Sequence, residues 1–431
     1  MRPRRFLLTP MGPSVPAPTS YRPGLFGWWR AGSSDAHRAL LAASLGWMLD
    51  AFDVMLYALV VTSIISEMGI TTGTAGALAS ATLVSSAAGG ILFGVVADRY
   101  GRTRALIASV LIYSVFTAAC GLAVTVWQLA LFRVLLGIGM GGEWASGAAL
   151  VTETWPAEHR GKALGLMQSA WAVGYGAAAV VTMVVLPRWG WRAVFFVGIL
   201  PALLTIWVRS SVREPELWER AREQPAGVRP GAGQIFSGRL ASLTLAVSLM
   251  NACTMFAWWG FNQWLPAYLS LPAAEGGVGL TTTRMTAFVV AMQVGMWFGY
   301  VTFGFVSDAF GRKRSYVTYT LAAAALIAIY VSVRAPLLLL VLGPFVAFFA
   351  TGYFSGFGAV TAEIYPTAIR ATAQGFTYNI GRVASAAAPY AVGTLAQTRG
   401  FDTALLLTSA AFVAAAVLWI WIPETRGRQL A

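Results

Sequence analysis

Charged residues are scarce in this 431-residue sequence. Asp, Glu, Lys and Arg together make up 11% of it, whereas 57% of the residues are hydrophobic. Because a soluble domain ordinarily carries about 25% charged residues, this composition excludes an ordinary soluble protein. At about 20 residues per membrane-crossing helix, a chain of this length has room for roughly a dozen crossings. We therefore expect an all-α membrane protein.

Histidine and cysteine are almost absent, with two residues of each. His37 and His159 have no clustered partners that would form a metal site, and the sequence shows no activated nucleophile. We therefore expect no metal, no cofactor and no enzymatic activity. Cys120 and Cys253 lie in apolar segments, which is typical of free thiols in a core.

Apolar segments follow one another along the chain, six before and six after one polar stretch. This stretch, residues 211–239, mixes glutamates, arginines and prolines, which predicts a solvated cytoplasmic linker. Residues 39–210 and 240–423 are predicted to form two six-helix bundles, and 424–431 a cytoplasmic tail. The twelve predicted spans lie at about 39–66, 74–97, 105–124, 127–152, 163–186, 193–210, 240–270, 283–306, 315–333, 337–361, 371–397 and 403–422.

Residues 1–38 differ from the rest of the chain in composition. They hold six prolines and six arginines, and their apolar run is too short for a signal peptide. This composition predicts a disordered basic cytoplasmic arm. The alternative is that the start site has been placed upstream of the native one.

The basic residues are distributed unevenly between the two sides of the predicted membrane. If the amino terminus is cytoplasmic, 23 of the 30 Lys and Arg residues lie on that side. This bias predicts that both termini are cytoplasmic, and it explains the net charge of +13 without a nucleic-acid partner. We expect a monomeric, multi-pass protein of the cell inner (plasma) membrane, surrounded by the lipid bilayer.

The two halves are copies of one another, offset by 210 residues. The segment 94–104, Gly-Val-Val-Ala-Asp-Arg-Tyr-Gly-Arg-Thr-Arg, recurs as 304–314, Gly-Phe-Val-Ser-Asp-Ala-Phe-Gly-Arg-Lys-Arg. The same offset relates Glu153 to Glu363. Parallel six-helix repeats place a binding site between them, near the bilayer midplane.

Two motifs carry a resemblance to the major facilitator superfamily over nearly the whole chain. The first is the Gly-xxx-Asp-Arg-x-Gly-Arg-x-Arg loop at 94–104, of which 304–314 is a second copy. The other is the Arg-xxx-Gly-x-Gly-x-Gly pattern at 133–141. The resemblance implies the major facilitator fold: twelve transmembrane helices in two six-helix repeats that open alternately to either side.

Three further segments are similar to those of particular branches of this family. They are 50–53 (Asp-Ala-Phe-Asp), 141–144 (Gly-Gly-Glu-Trp) and 153–162. They resemble the proton symporters for sialate, lactate-type monocarboxylates, other metabolites and aromatic acids. The aromatic-acid branch favours Asp-Gly-x-Asp, where this chain has Ala51.

Five charged residues lie inside the predicted spans, where a charge costs at least about 2.5 to 3.5 kcal/mol. They are Asp50, Asp53, Arg133, Glu143 and Arg382. Asp50 and Asp53 are one helical turn apart, and a carboxylate pair in a partly dry cavity can take up and release a proton. We predict that Asp50, Asp53 and Glu143 couple transport to protons; the alternative is a structural ion pair with a buried arginine. For Arg133 the resemblance implies a structural or proton-coupling role.

Arg382 is predicted to bind the carboxylate of a substrate. It and Asp50 lie equally far along their helices, about 18 Å from the cytoplasmic end, and a guanidinium forms a planar fork that matches a carboxylate. The alternative is a fixed ion pair between the halves. Other predicted substrate-binding residues are Tyr57, Gln168, Asn262, Gln263, Tyr378 and Asn379. The aromatic candidates around them are Trp171, Tyr175, Trp258, Trp259, Phe261, Trp264, Tyr353, Phe354 and Phe357.

The repeated loop is predicted to control opening and closing. By resemblance to the family, Asp98 and Arg102 bridge to neighbouring helix ends, with Glu153 as a partner for Arg102. Ala309 replaces the first arginine of the motif in the second copy. The predicted gating residues are Asp98, Arg99, Gly101, Arg102 and Glu153 in the first half, and Asp308, Gly311, Arg312 and Glu363 in the second.

The predicted function is proton-coupled import of a small organic anion, such as sialate, a monocarboxylate or an aromatic acid, by alternating access. The sequence lacks the Gly-xxxx-Gly-Lys-Ser/Thr loop that binds ATP phosphates, which leaves an ion gradient as the energy source. A proton-driven antiporter or exporter is the alternative, although residues 174–178 lack the Gly-Pro pair typical of the family's antiporters. Sodium coupling and the identity of the acid stay open.

Overall fold

The computed structural model describes residues 27–156, 159–214, 235–366 and 369–426, without the side chains of residues 98, 144, 145, 209, 239 and 370–372. The described chain is helical. The first half contains α1 (Gly27–Arg30), α2 (Ser34–Met68), α3 (Thr72–Tyr100), α4 (Arg102–Cys120), α5 (Val126–Thr154), α6 (Arg160–Val197) and α7 (Ala202–Ser211). The second half contains α8 (Gly238–Ser270), α9 (Thr282–Phe310), α10 (Arg312–Ser332), α11 (Pro336–Thr351), α12 (Phe357–Ile364), α13 (Arg370–Ser385) and α14 (Ala387–Leu418).

Within the described residues, ten helical stretches are long and apolar enough to cross a membrane. Two of them, Arg160–Val208 and Ala373–Leu418, run for 49 and 46 residues. The first leaves the helical conformation at Gly190 (φ 74°) and the second at Gly400 (φ 83°), a conformation that glycine adopts without strain. The two glycines are 210 residues apart, so both halves bend at the same point of the repeat.

Hydroxyl side chains begin several of the long helices. Ser33 Oγ accepts a hydrogen bond from Ala36 N at 3.1 Å, and Thr71 Oγ1 accepts one from Thr74 N at the same distance. Thr281, the repeat equivalent of Thr71, caps α9 in the same way. These caps satisfy backbone donors that would otherwise be left free in the first turn.

The prediction of a disordered arm over residues 1–38 is wrong for residues 27–38, which form α1 and the start of α2. Trp28 packs on Trp155 with ring centroids 5.4 Å apart, and the indole N–H of Trp155 donates to Ala36 O at 2.9 Å. His37 lies 4.4 Å from the ring of Trp29. This aromatic cluster fixes the segment to the end of α5. The rest of the predicted arm, most of the linker and the end of the tail lie outside the described residues.

The two halves pack against each other through α2 and α8, α6 and α9, and α3 and α14. Thr72 Oγ1 donates to Gly393 O at 2.9 Å, and Tyr390 N donates to Ser80 Oγ at 3.2 Å. Both bonds lie towards the end of the molecule that carries Thr71. Among the fully described residues, no hydrogen bond or ion pair joins the halves at the opposite end, near Gly101. The halves are therefore closed together at the Thr71 end.

Candidate functional site

A small cavity of about 40 Å³ lies where the two halves meet. Aromatic rings from both halves form most of its wall, including Trp47, Trp171, Trp258 and Trp259. Trp171 of α6 lies 5.6 Å from Trp258 and 6.1 Å from Trp259 of α8, measured between ring centroids. The polar side chains on the wall include Gln168, Tyr378 and Arg382. The cavity is thus an apolar chamber with one fixed positive charge.

Arg382 supplies that charge from α13, with 8% of its surface exposed. Among the described side chains, no carboxylate lies within ion-pair distance of it. A guanidinium remains protonated at physiological pH. The cavity therefore contains a cation that can bind an anion or compensate the buried carboxylates.

Three carboxyl groups lie behind this wall, in the interior of the first half. Asp50, Asp53 and Glu143 are buried, and they are not among the residues that line the cavity. Thr117 Oγ1 donates to Asp53 Oδ2 at 3.0 Å. Asp50 Oδ2, Asp53 Oδ1 and both Glu143 oxygens are buried without a hydrogen-bond partner. A buried ionised carboxylate without partners is costly, and binding a proton removes its charge.

Arg133 and Tyr57 form a separate buried pair away from the cavity wall. The Arg133 Cζ lies 3.8 Å from the centroid of the Tyr57 ring. Arg133 Nε donates to Leu78 O at 3.3 Å, and the Tyr57 hydroxyl donates to Ala75 O at 2.8 Å. These contacts connect α2, α3 and α5, which is the arrangement expected of a structural role.

The remaining predicted polar residues fall into two groups. Gln168 and Tyr378 lie on the cavity wall with Arg382. Asn262 Nδ2 donates to Trp258 O of its own helix at 3.1 Å, and Gln263 is buried away from the wall. Asn379 is exposed and donates to Gly375 O at 2.9 Å. The structure therefore does not place Tyr57, Asn262, Gln263 or Asn379 at the cavity.

Four residues of the wall are not among those predicted from the sequence: Trp47, Met140, Met255 and Tyr300. Trp47 had a usable signal, because it precedes Asp50 by three residues and so shares its helical stripe. The methionines and Tyr300 had none, since buried apolar and aromatic residues in a membrane span mostly pack.

Ion pairs connect the predicted gating residues within each half. Arg102 Nη2 lies 2.9 Å from Glu153 Oε1, which joins the start of α4 to the end of α5. Arg312 Nη2 lies 3.0 Å from Glu363 Oε1, and its Nη1 lies 2.5 Å from Asp308 Oδ1. The side chain of Asp98 lies outside the described residues, and Arg99 is exposed. A role of these residues in gating stays a prediction.

Two further glutamates, Glu214 and Glu424, bind the first turns of the helices that follow the repeated loops. No sequence pattern predicted this role. Glu214 Oε2 accepts from Arg102 N at 2.7 Å, and Glu424 Oε1 accepts from Arg312 N at 2.9 Å. They are 210 residues apart, so α4 and α10 each begin with a cap from a carboxylate that follows the last helix of the same half. Gly101 (φ 114°) permits the approach, because a Cβ there would lie 2.3 Å from Glu214 Oε1.

Burial raises the pKa of Glu424. Hydrogen bonds from the backbone N–H groups of Arg426, Arg312, Lys313 and Thr425 outweigh this effect, and they hold the pKa below the usual range of a glutamate. The carboxylate is therefore ionised at neutral pH, which suits a cap at the positive end of a helix.

Three curated relatives cover nearly the whole chain. A putative metabolite transport protein of Haemophilus influenzae is 34% identical over 401 residues, which are 91% of this chain and 97% of the relative. A probable 4-methylmuconolactone transporter of Cupriavidus pinatubonensis is 33% identical over 94% of both chains. A cis,cis-muconate transport protein of Acinetobacter baylyi is 31% identical over 90% of this chain and 94% of the relative.

Solved structures show the same fold. The xylose transporter XylE from E. coli, in a partially occluded inward-open conformation, superposes with a TM-score of 0.74 at 20% identity, covering 92% of this chain and 100% of that one. The family model described as Major Facilitator Superfamily matches residues 43–281 and 269–431. These findings confirm the resemblance carried by the loop motifs. The chain belongs to the Major Facilitator Superfamily, whose members are membrane transporters and not enzymes.

Proposed function

We propose that this protein is a proton-coupled symporter that imports a small organic anion across the cell inner membrane. In this proposal the chain crosses the membrane twelve times, because the two long stretches that bend at Gly190 and Gly400 each cross twice. Both termini are then cytoplasmic, in line with the bias of basic residues. The observation that carries the proposal is the presence of Arg382 on the wall of an aromatic cavity, together with three buried carboxyl groups in the first half.

The anion binds to Arg382 on the cavity side. The wall offers no other cation among the described residues, and a carboxylate can form two parallel hydrogen bonds with a guanidinium. Tyr378 and Gln168 stand on the same wall, and Tyr378 lies one turn from Arg382 on α13. The tryptophan rings supply apolar and stacking contacts for the rest of the molecule.

The proton binds to the carboxyl groups of Asp50, Asp53 and Glu143. All three carboxyl groups are buried in the first half, and each has at least one oxygen without a hydrogen-bond partner. With the cavity free of anion, the guanidinium compensates an ionised carboxylate. Once an anion occupies the guanidinium, this compensation is lost, and a carboxylate in the dry interior takes up a proton.

This arrangement favours symport over antiport. In this proposal the charge of Arg382 serves the buried carboxylates when the cavity is empty and the anion when the cavity is filled. Binding of the anion then promotes binding of the proton, and by linkage the proton promotes binding of the anion. An antiporter requires the reverse, in which the two ligands exclude each other.

The relatives support an organic acid as the anion. The names of three of them refer to 4-methylmuconolactone, cis,cis-muconate and gentisate, and another is called a sialic acid transporter. The flat rings of Trp171, Trp258 and Trp259 suit the unsaturated and aromatic acids of this group better than a sugar acid.

Uptake of labelled acids by reconstituted vesicles tests the proposal. The panel contains cis,cis-muconate, 4-hydroxybenzoate, nicotinate and N-acetylneuraminate, with an imposed pH gradient that is acidic outside. We expect at least one acid to accumulate above its equilibrium distribution, and a protonophore to abolish the accumulation. Accumulation that needs a sodium gradient instead, or that occurs only in the opposite direction, would contradict the proposal.

A further inference from the structure

The cavity between the halves carries buried hydrogen-bond donors that have no partner. The indole N–H groups of Trp47, Trp171 and Trp258 make no hydrogen bond, although all three rings line the cavity. An indole N–H can only donate, and a buried donor without an acceptor is destabilising. Three rings around one small cavity thus carry unpaired donors, which a ligand that enters between the rings can satisfy with its own acceptors.

These donors come from both halves of the molecule. Trp47 on α2 and Trp171 on α6 belong to the first half, and Trp258 on α8 belongs to the second. Trp171 lies 4.7 Å from Trp47 and 5.6 Å from Trp258 between ring centroids. A ligand held among the three rings contacts both halves at once. A flat group fits between flat rings with the largest contact.

Arg382 lines the same cavity, and its guanidinium can bind a carboxylate at one end of such a ligand. When the guanidinium holds a carboxylate, the three indole donors remain available for oxygen atoms elsewhere on the molecule. An acid with one carboxylate and no other polar group would leave them unbonded. The Oε1 of Gln168 is also buried without a partner, and it can accept from a hydroxyl group.

We propose that the substrate is a flat organic acid with a second oxygen-bearing group, and that Trp47, Trp171 and Trp258 select it by hydrogen-bonding that group. This inference rests on the proposed function, because it assigns the first carboxylate to Arg382. It goes further by naming the substrate class and the side chains that discriminate within it. The discriminating groups are indole N–H donors that belong to both halves.

Paired ligands test this selection. Benzoate, 4-hydroxybenzoate and terephthalate share a ring and one carboxylate, and they differ only in the group at the opposite end. Isothermal titration of the purified full-length protein gives the affinity for each. We expect 4-hydroxybenzoate or terephthalate to bind at least about tenfold more tightly than benzoate, which is the range of one hydrogen bond that satisfies a buried donor.

Tryptophan-to-phenylalanine variants assign the effect to the indole N–H. Trp47→Phe, Trp171→Phe and Trp258→Phe each remove one donor and keep an aromatic ring. We expect at least one of them to reduce the affinity ratio of the paired ligands by about fivefold or more, with a smaller change for benzoate itself. Because the ratio is taken within each variant, a lower yield of folded protein does not change it.

Trp419→Phe is the matched control. The indole N–H of Trp419 is also buried without a partner, but this ring lies 4.8 Å from Tyr316 and is not on the cavity wall. Its removal should leave the affinity ratio unchanged. Equal binding of all three acids by the wild type, or an unchanged ratio in all three cavity variants while proton-driven uptake persists, would overturn the inference and leave the proposed function standing. Failure of every acid to bind would contradict both.

Discussion

The carboxyl group of Glu143 lies directly against Gly46, so that a Cβ on Gly46 would stand 2.5 Å from Glu143 Oε1. Gly46 belongs to α2, one turn before Asp50, and Glu143 belongs to α5. The absence of a side chain at residue 46 is therefore what allows the carboxyl group of Glu143 to pack against α2. Both Glu143 oxygens are buried there without partners.

Gly46→Ala should therefore impair transport without unfolding the protein. The clash is with the end of a flexible side chain, which can turn away, so we expect a change in unfolding free energy below about 1 kcal/mol. The displaced Glu143 should lower proton-driven accumulation at least about tenfold, as Glu143→Gln should. Vesicle uptake and thermal unfolding of both variants measure the two effects.

Gly165→Ala is the control for Gly46→Ala, because a Cβ at Gly165 meets no atom within 4 Å. Wild-type uptake in this variant is expected. Gly174→Ala shows the opposite extreme, since its Cβ would lie 1.8 Å from the backbone oxygen of Met48 and should destabilise the fold. Normal uptake in Gly46→Ala would show that the position of Glu143 does not matter for coupling.

Asp50→Asn and Asp53→Asn should separate substrate movement from proton movement. An amide keeps the size of the carboxyl group and cannot bind the proton, so accumulation driven by a pH gradient should fall at least about tenfold in each. We expect the larger loss in Asp50→Asn, because Asp50 Oδ2 is buried without a partner, whereas Asp53 Oδ2 accepts a hydrogen bond from Thr117. Exchange of labelled for unlabelled acid, which needs no net proton movement, should survive in one of them. If both variants accumulate substrate with normal pH dependence, the proton carrier lies elsewhere, and Glu143 is the first candidate.

Arg382→Lys should weaken anion binding although it keeps the charge. A lysine cannot offer the two parallel donors of a guanidinium, so we expect the dissociation constant to rise about tenfold or more. Arg382→Gln should lose both the affinity and the dependence of affinity on pH, since the shared charge is gone. Titrations at two pH values give both quantities. The assignment of Arg382 fails if the affinity is unchanged in both variants.

A disulfide between Ser80→Cys and Tyr390→Cys should hold the halves closed at the Thr71 end. The backbone N of Tyr390 lies 3.2 Å from Ser80 Oγ, and the two residues belong to different halves. Oxidation should produce the cross-link and stop transport, and reduction should restore it, because alternating access requires this contact to open. Each single cysteine variant is the control. Unchanged transport in a fully cross-linked sample would exclude opening at this contact.

The repeat was the most informative feature of the sequence. The offset of 210 that was read from residues 94–104 and 304–314 also relates Gly190 to Gly400 and Glu214 to Glu424. The ten long apolar helices followed from composition, because membrane spans must be apolar and helical along their length. Helical spacing put Asp50 and Asp53 on one stripe of α2, and the structure buries both of them behind the cavity wall and not on it.

The packing of one helix on another could not be predicted from this sequence. Asn379 and Arg382 share a helical stripe by spacing, yet Asn379 is exposed and bonds its own helix at Gly375. Asn262 likewise satisfies its side chain on Trp258 O. A helical pattern defines a face, but the neighbour of that face depends on a helix that is distant in the chain. The contact between Gly46 of α2 and Glu143 of α5 could not be predicted from the sequence for the same reason.

Proton movement that accompanies substrate entry tests proton-coupled symport most directly. Vesicles without any imposed gradient are placed in a weakly buffered medium, and a pulse of a transported acid is added while the external pH is recorded. The account predicts an immediate rise in external pH with the wild type, as protons enter with the anion, and a much smaller rise with Asp50→Asn under the same conditions. Entry of the labelled acid with no change in pH, or with a fall in pH, would contradict it.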